Sequence, residues 1–281
     1  MTKKKSQDDE ACLREVRRVM RSFCRDYKVV FAVKKRERAA SFEIGCLHML
    51  LRNYEEVGEL APENLNDKGE FRYLTSPNGN PDNFSWIWLK IEGKKFEIRQ
   101  QVRIRSHWHA DVAFCPDIVV LKPGTAVESK FDPDYASGKR KFFVVSSDRV
   151  VTAHECKSLS PFPELLVSFT GMFQAAHKWF SSKSPSTYLD EDGKHLAPCL
   201  FIGGDSRPIQ RRMILALEEV FPVNIVSGLH WGSFKLMRSS KEANYLSDSL
   251  FEGRERRSAT GSLRPKRRLR LKKRRSIDLE H

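Results

Sequence analysis

Two short segments hold an unusual set of residue types: Phe-Cys-Pro-Asp-Ile-Val-Val-Leu at 114–121 and Val-Val-Thr-Ala-His-Glu-Cys-Lys at 150–157. Each reads as an apolar strand with acidic groups at one end. Glu155 and Lys157 are two residues apart, so on a strand both project from one face. Cys156 faces the other way, but its carbonyl can still turn toward a bound cation. With Asp117 on a neighbouring strand, two carboxylates and an ammonium converge on one point. Carboxylate oxygens suit Mg²⁺, a hard cation that keeps several of its waters. Such a cation polarises a phosphoryl oxygen and lowers the pKa of an attacking water. Lys157 would orient or help deprotonate that water and offset charge on the transition state. The chemistry these residues suit is phosphodiester hydrolysis.

Pro116-Asp117 followed by Glu155-Cys156-Lys157 resembles the PD-(D/E)XK motif of the restriction-endonuclease-like superfamily. The Glu-Cys-Lys triplet at a strand end, leading within a few residues into a helix, is similar to bacterial restriction and defence nucleases. The resemblance implies metal ligation by Asp117, Glu155 and the Cys156 carbonyl, with Lys157 in catalysis. It also implies a further Glu from the first core helix, for which Glu43 is the candidate and Glu56 the reserve. A Mg²⁺ or Mn²⁺ cofactor follows, with nucleic acid as substrate, DNA ahead of RNA. At the level of the family, the resemblance extends to a role in restriction or defence, a cytoplasmic setting in a bacterial cell, and a homodimer or larger defence-type assembly. The 37 residues between Asp117 and Glu155 require an insertion between the motif strands. Asp111 and Asp148 are rival carriers of the Asp role; the aliphatic run directly after Asp117 favours that residue.

The elements that would position these groups follow from periodicity. Residues 9–27 suggest a helix with Leu13, Val16, Met20 and Phe23 on one stripe, and residues 36–56 a second. The second carries Phe42, Cys46, Met49 and Leu50 on one side and charges on the other. Residues 60–84 are turn-rich and read as a long loop. Strands are expected at 86–91, 95–105, 117–121, 142–145 and 150–157, with a polar insertion at about 123–140 and a turn at Ser-Ser-Asp-Arg, 146–149. Helix 163–181, strand 198–202, helix 208–220 and strand 223–226 complete the order. This is an α/β pattern, a mixed central sheet flanked by helices. Its order from about residue 36 to 228 matches the restriction-endonuclease-like core. Residues 1–35 would form a helical extension, 36–238 the nuclease-like domain, and 239–281 a basic flexible tail.

Other signals compete. His107-Trp-His109-Ala-Asp111 would put two imidazoles and a carboxylate on one strand face, at a spacing that could hold zinc. Gly203-Gly204-Asp205-Ser206 reads as a turn and helix N-cap, or as a phosphate cradle. Gln174 and Lys178 share one helix face below the motif. The six cysteines form no C-x-x-C pair and read as reduced, mostly buried thiols. No stretch has the ~18 apolar residues of a membrane span, and the N-terminal Lys triplet is followed by acidic residues, not by the apolar run of a targeting signal.

Net charge is +14. From Arg254 onward there are 12 Lys/Arg against Glu255, Asp278 and Glu280, so +9 of it lies in the tail. Arg264, Lys266, Arg267, Arg268, Arg270, Lys272, Lys273, Arg274 and Arg275 are the candidate phosphate contacts, a salt-sensitive and sequence-independent kind of binding. The final Leu-Glu-His reads as a tag remnant. Two rival functions remain at this level: a catalytically inactive nuclease-fold module that binds nucleic acid within a larger assembly, and a zinc hydrolase using His107, His109 and Asp111.

Overall fold

On the central strands, successive side chains enter two different cores, so the sheet is buried on both faces. The computed structural model describes residues 7–28, 30–31, 38–76, 80–109, 111–131, 141–176, 195–221 and 223–229. Its elements run α1 (Gln7–Tyr27), β1 (Val30–Phe31), α2 (Arg38–Glu55), β2 (Glu59–Glu63), β3 (Glu70–Phe71), β4 (Trp86–Ile91), β5 (Lys94–Gln100), β6 (Arg103–Arg105) and β7 (Ala113–Phe114). They continue β8 (Ile118–Leu121), β9 (Glu128–Phe131), β10 (Lys141–Ser146), β11 (Val150–Lys157), α3 (Pro163–Ala176), β12 (Cys199–Ile202), α4 (Pro208–Val220) and β13 (Asn224–Val226).

Seven strands form one mixed sheet in the order β13-β12-β11-β8-β5-β4-β2. The pairs β11–β12 and β12–β13 are parallel, joined through α3 and α4, and the rest of the sheet is antiparallel. Ile118 and Val120 of β8 enter the core beneath α1 and α2, while Val119 and Leu121 enter the opposite core beneath α3 and α4. Cys199 and Phe201 against Leu200 and Ile202 repeat the alternation on β12. This is the two-sided burial that makes a strand read as a continuous apolar run. The protein is thus mixed α/β, with a large mixed sheet flanked by helices. A second sheet, β7-β6-β10-β9, adds Ile104, Phe143 and Val145 to the core on the α3 side, with Val102 from the link before β6.

Several expectations need correction. Residues 95–105 are not one strand: the chain breaks at Gln101, whose φ is +53°, and passes from the main sheet into the second. The stretch 60–84 holds β2 and β3, and the insertion after 122 contributes β9. Helix α2 is not amphipathic in its surroundings. From Ser41 to Leu51 only Glu43 is less than fully buried, because α1 covers the face that the sheet leaves open. His107, His109 and Asp111 lie exposed in the loop joining β6 and β7, not on a strand. The helix predicted over 163–181 is described to Ala176; Lys178 and the side chain of Gln174 lie outside the described residues, as does the whole basic tail. Among the described residues no helix is long and apolar enough to cross a membrane.

The turn from α2 into β2 shows how tightly these layers meet. Gly58 N–H closes the helix by donating to the Tyr54 carbonyl at 2.9 Å. A Cβ on Gly58 would stand 2.6 Å from the Lys90 carbonyl oxygen and 2.9 Å from Ile91 Cγ1 of β4. Backbone cannot move aside as a side-chain tip can, so Gly58→Ala should destabilise by about 1–3 kcal/mol through overpacking. Urea unfolding checks this, and a neutral result would show that β2 and β4 separate without cost.

Candidate active site

The main sheet forks at Gln101 and Asp117. The chain leaves β5 at Gln101, runs through the β6–β7 hairpin, and re-enters at Asp117 to begin β8. The Gln101 N–H donates to the Asp117 carbonyl at 3.1 Å, tying exit to entry. A non-glycine residue in the left-handed region costs on the order of 1–3 kcal/mol and persists where its surroundings over-determine it. Here they do. Gln101 Nε2 donates to Asp117 Oδ1 at 2.9 Å, and the same side chain bonds Glu43.

Asp117 Oδ2 in turn accepts from the Cys156 N–H at 2.7 Å and from Lys157 Nζ at 3.5 Å, while Lys157 Nζ lies 2.6 Å from Glu155 Oε2. Asp117 is 8% exposed and Glu155 9%. Register explains why the Cys156 N–H is free to turn to a side chain. His154 pairs with Ile118; two residues further along the antiparallel register, Cys156 falls opposite Pro116, which has no N–H to return. Along a strand, a residue's N–H and C=O leave toward the same edge. The Cys156 carbonyl therefore faces the Asp117 edge, with no ladder donor from position 116.

Helix α2 brings the fourth group. Cys46 packs against Cys156, both thiols raised in pKa by burial, and this contact fixes α2 against β11. Glu43 sits three residues earlier on the same helix face, close enough that Asp117, Glu155 and Lys157 all act on its charge. Burial, then repulsion from Asp117, pushes its carboxyl up to about 8 against the partial relief from Lys157. Among the described residues its buried Oε2 has no hydrogen-bond partner. Glu155 is raised for the same two reasons, burial and the Asp117 charge, with Lys157 opposing. Burial alone would lower Lys157, but Asp117 and Glu155 outweigh it and hold the ammonium above the ordinary lysine value.

Other sequence candidates fall elsewhere. Asp148 lies exposed at the opposite end of β11, bonded by Ser146 Oγ and paired with Arg149 at 3.5 Å. Glu56 lies exposed past the far end of α2, away from the cluster that Glu43 joins. Gly203 and Gly204 N–H groups bond the Lys157 and Leu159 carbonyls at 2.9 Å, which anchors the turn after β11. A Cβ on Gly204 would lie 2.5 Å from Ser160 Oγ. The residue capping α4 is Arg207, not Ser206, and it supplies no side-chain cap. Gln101 was not singled out from sequence. Its signal is the adjacent Gln100, a polar residue at the position where Phe96 and Ile98 call for a third apolar side chain.

Asp117, Glu155, the Cys156 carbonyl and Glu43 are all hard oxygen donors. Among the described residues no three His, Cys, Asp or Glu side chains are grouped as a ready-made cage. The set suits a cation that takes one or two carboxylates and keeps several waters, as Mg²⁺ does. Three carboxyl groups face one lysine, so once ionised they carry more negative charge than Lys157 offsets, which such a cation would balance. Beside Glu155 and Lys157 opens a cleft of about 560 Å³, walled by Phe114, Leu165, Ser168, Phe169, Gly171, Met172 and Leu200.

Compared with known proteins, the chain matches no family model, no curated protein and no solved structure.

The raised Glu43 carboxyl has a thermodynamic consequence. Between the ordinary value of 4.5 and about 8, folded protein retains a proton that unfolded chain has lost. Stability from this group is full below 4.5 and declines as pH rises through 8. Metal-free protein should lose on the order of 1–3 kcal/mol between pH values of about 5 and 9. Glu43→Gln should flatten that decline and be the more stable at the alkaline end. Urea unfolding of both proteins across this range is the check; parallel curves would show that Glu43 does not carry the effect.

Proposed function

We propose that this protein is a metal-dependent nuclease of the restriction-endonuclease-like kind, hydrolysing phosphodiester bonds with Asp117, Glu155 and Lys157 at its centre. The observation that carries the reading is their convergence at one sheet end: Lys157 Nζ stands 2.6 Å from Glu155 and 3.5 Å from Asp117. Glu155 and Lys157 lie at the carboxyl end of a strand that is parallel to its neighbour β12. Open α/β sheets bind their ligands at such strand ends.

Each residue has a distinct task. Asp117 is held by Gln101 and the Cys156 N–H, so its carboxylate meets a ligand without reorganising. Glu155 stands across from it as the second acceptor. Asp117, Glu155 and the Cys156 carbonyl would hold a Mg²⁺ or Mn²⁺ ion, which would supply Lewis acidity toward the phosphoryl oxygen and a more acidic water. Lys157 stays cationic at neutral pH and offsets the charge that gathers on the phosphoryl oxygens. Glu43, which keeps its proton to about 8 in the metal-free fold, is suited to hydrogen-bond a water on that side of the site, and to take its proton only once itself deprotonated. The basic segment Arg264–Arg275 would hold backbone phosphates of the substrate, DNA ahead of RNA by resemblance. A homodimer or a defence-type assembly belongs to the same proposal.

The test is cleavage of single- and double-stranded DNA and RNA in Mg²⁺ and Mn²⁺. Asp117→Ala and Glu155→Ala should each lower the rate by about 10²-fold or more while substrate binding persists. Activity that survives both changes would place the chemistry elsewhere.

Cation binding gives an independent readout. Mn²⁺ should raise the unfolding midpoint of the wild type by mass action. The rise should be larger at higher pH, where the carboxyls have released their protons, and absent in Glu155→Ala. Calorimetry showing no Mn²⁺ binding, together with tight salt-sensitive nucleic-acid binding, would favour the non-catalytic module.

A further inference from the structure

Resting on the nuclease reading, we infer that the cleft beside Glu155 and Lys157 receives an unstacked base, so that the substrate is a single strand or a nucleotide swung out of a duplex. Glu155 and Lys157 are themselves part of the cleft wall. Whatever enters it lies next to the phosphate on which they act.

The rest of the lining is unsuited to phosphate. Leu165, Ser168, Phe169 and Met172 lie at i, i+3, i+4 and i+7 along α3, and Phe114 and Leu200 face them from the sheets. Among the described lining residues, Lys157 is the one cation. A sugar–phosphate backbone seeks charge and donors, whereas a base offers two apolar faces that stack on aromatic side chains. A volume near 560 Å³ is in the range of small-molecule sites and accommodates a nucleoside-sized group. In an intact duplex the bases are stacked and paired inside. One can enter a pocket only from a single strand or after flipping.

Gly171 keeps the cleft open. Glycine within a helix is less favourable than alanine by roughly 1 kcal/mol, yet it sits midway along α3 with nothing beyond its chain neighbours and its own helix backbone within 4 Å of where its Cβ would be. The space beside it is open and Gly171 borders the cleft, so a larger side chain there would narrow the cleft mouth.

The experiment uses the full chain and short single-stranded DNA whose bases are replaced one at a time by abasic sites, with a duplex of the same sequence. Affinity is read by fluorescence anisotropy in Ca²⁺ and cleavage in Mg²⁺, for wild type, Gly171→Phe, Phe114→Ala and Glu155→Gln. Circular dichroism verifies folding. The single strand should be preferred over the duplex, and one abasic position beside the cut should cost about tenfold in affinity. Gly171→Phe should lose a similar factor on intact DNA and become indifferent to that abasic site, and Phe114→Ala should weaken the same discrimination. Equal use of duplex and single strand, indifferent to abasic sites and to Gly171→Phe, would overturn the inference. If Glu155→Gln still abolished cleavage, the nuclease reading would stand without it. Base-dependent binding that Gly171→Phe removes, with no cleavage by wild type, would support the base pocket and overturn the nuclease reading instead.

Discussion

A single buried carboxylate, that of Asp117, ties together parts of the chain that otherwise meet only at their edges. It accepts from the Gln101 amide, from the Cys156 backbone and from the Lys157 ammonium. These donors belong to the residue just after β5 and to β11, while Asp117 itself immediately precedes β8. A buried carboxylate lacking such donors would be very costly, so the fork of the sheet and the state of the site are determined together. Pro116 completes the arrangement by ending the ladder one residue early, which turns the Cys156 amide toward a side chain. Fold and candidate chemistry rest here on the same few hydrogen bonds.

The electrostatics show what that junction costs. Asp117, Glu155 and Glu43 crowd around one lysine, and both glutamates are raised above the ordinary carboxylate value. A protein selected for stability alone would gain by replacing Glu43 with a neutral side chain, because its Oε2 is buried without a partner among the described residues. Perturbed carboxyls in a cleft are a feature of functional sites, though ion-pair networks also produce them. What distinguishes this cluster is its imbalance. The buried pair Glu97–Arg99, 2.5 Å apart and covered by the rings of Trp86 and Phe143, is matched one to one; the Asp117 cluster is not.

How much of this was legible in the sequence differs from residue to residue. Asp117, Glu155 and Lys157 were readable because strand periodicity of two is local and the apolar runs beside them are uninterrupted. The elements from β12 to β13 were placed within about a residue for the same reason, each being a short run bounded by Gly, Pro or charge. Glu43 entered through resemblance; on its own helix it is one charge among several. The burial of α2 was not legible, because its periodicity cannot reveal that α1 would cover its second face. Strand β2 was read as loop because it is short, lies at the sheet edge and carries Pro62, which an edge strand tolerates. The break at Gln101 depends on a bond to Asp117, 16 residues away, and no local pattern contains it.

The long separation between Asp117 and Glu155, which reads as a departure from a compact motif, has a structural use. Within it lie β9 and β10, and β10 pairs in parallel with β6. Without them, β6 and β7 would be an isolated two-stranded ribbon, which is marginal in water. That ribbon ends in Phe114, three residues before Asp117, and begins two residues after Gln101. The inserted strands thus steady both the turn that holds the Asp117 carboxylate and the aromatic wall of the cleft beside it. Shortening the insertion would therefore loosen the site through Gln101 and Phe114, although among the described residues none of the insertion touches the carboxylates in the hydrogen-bond network described above.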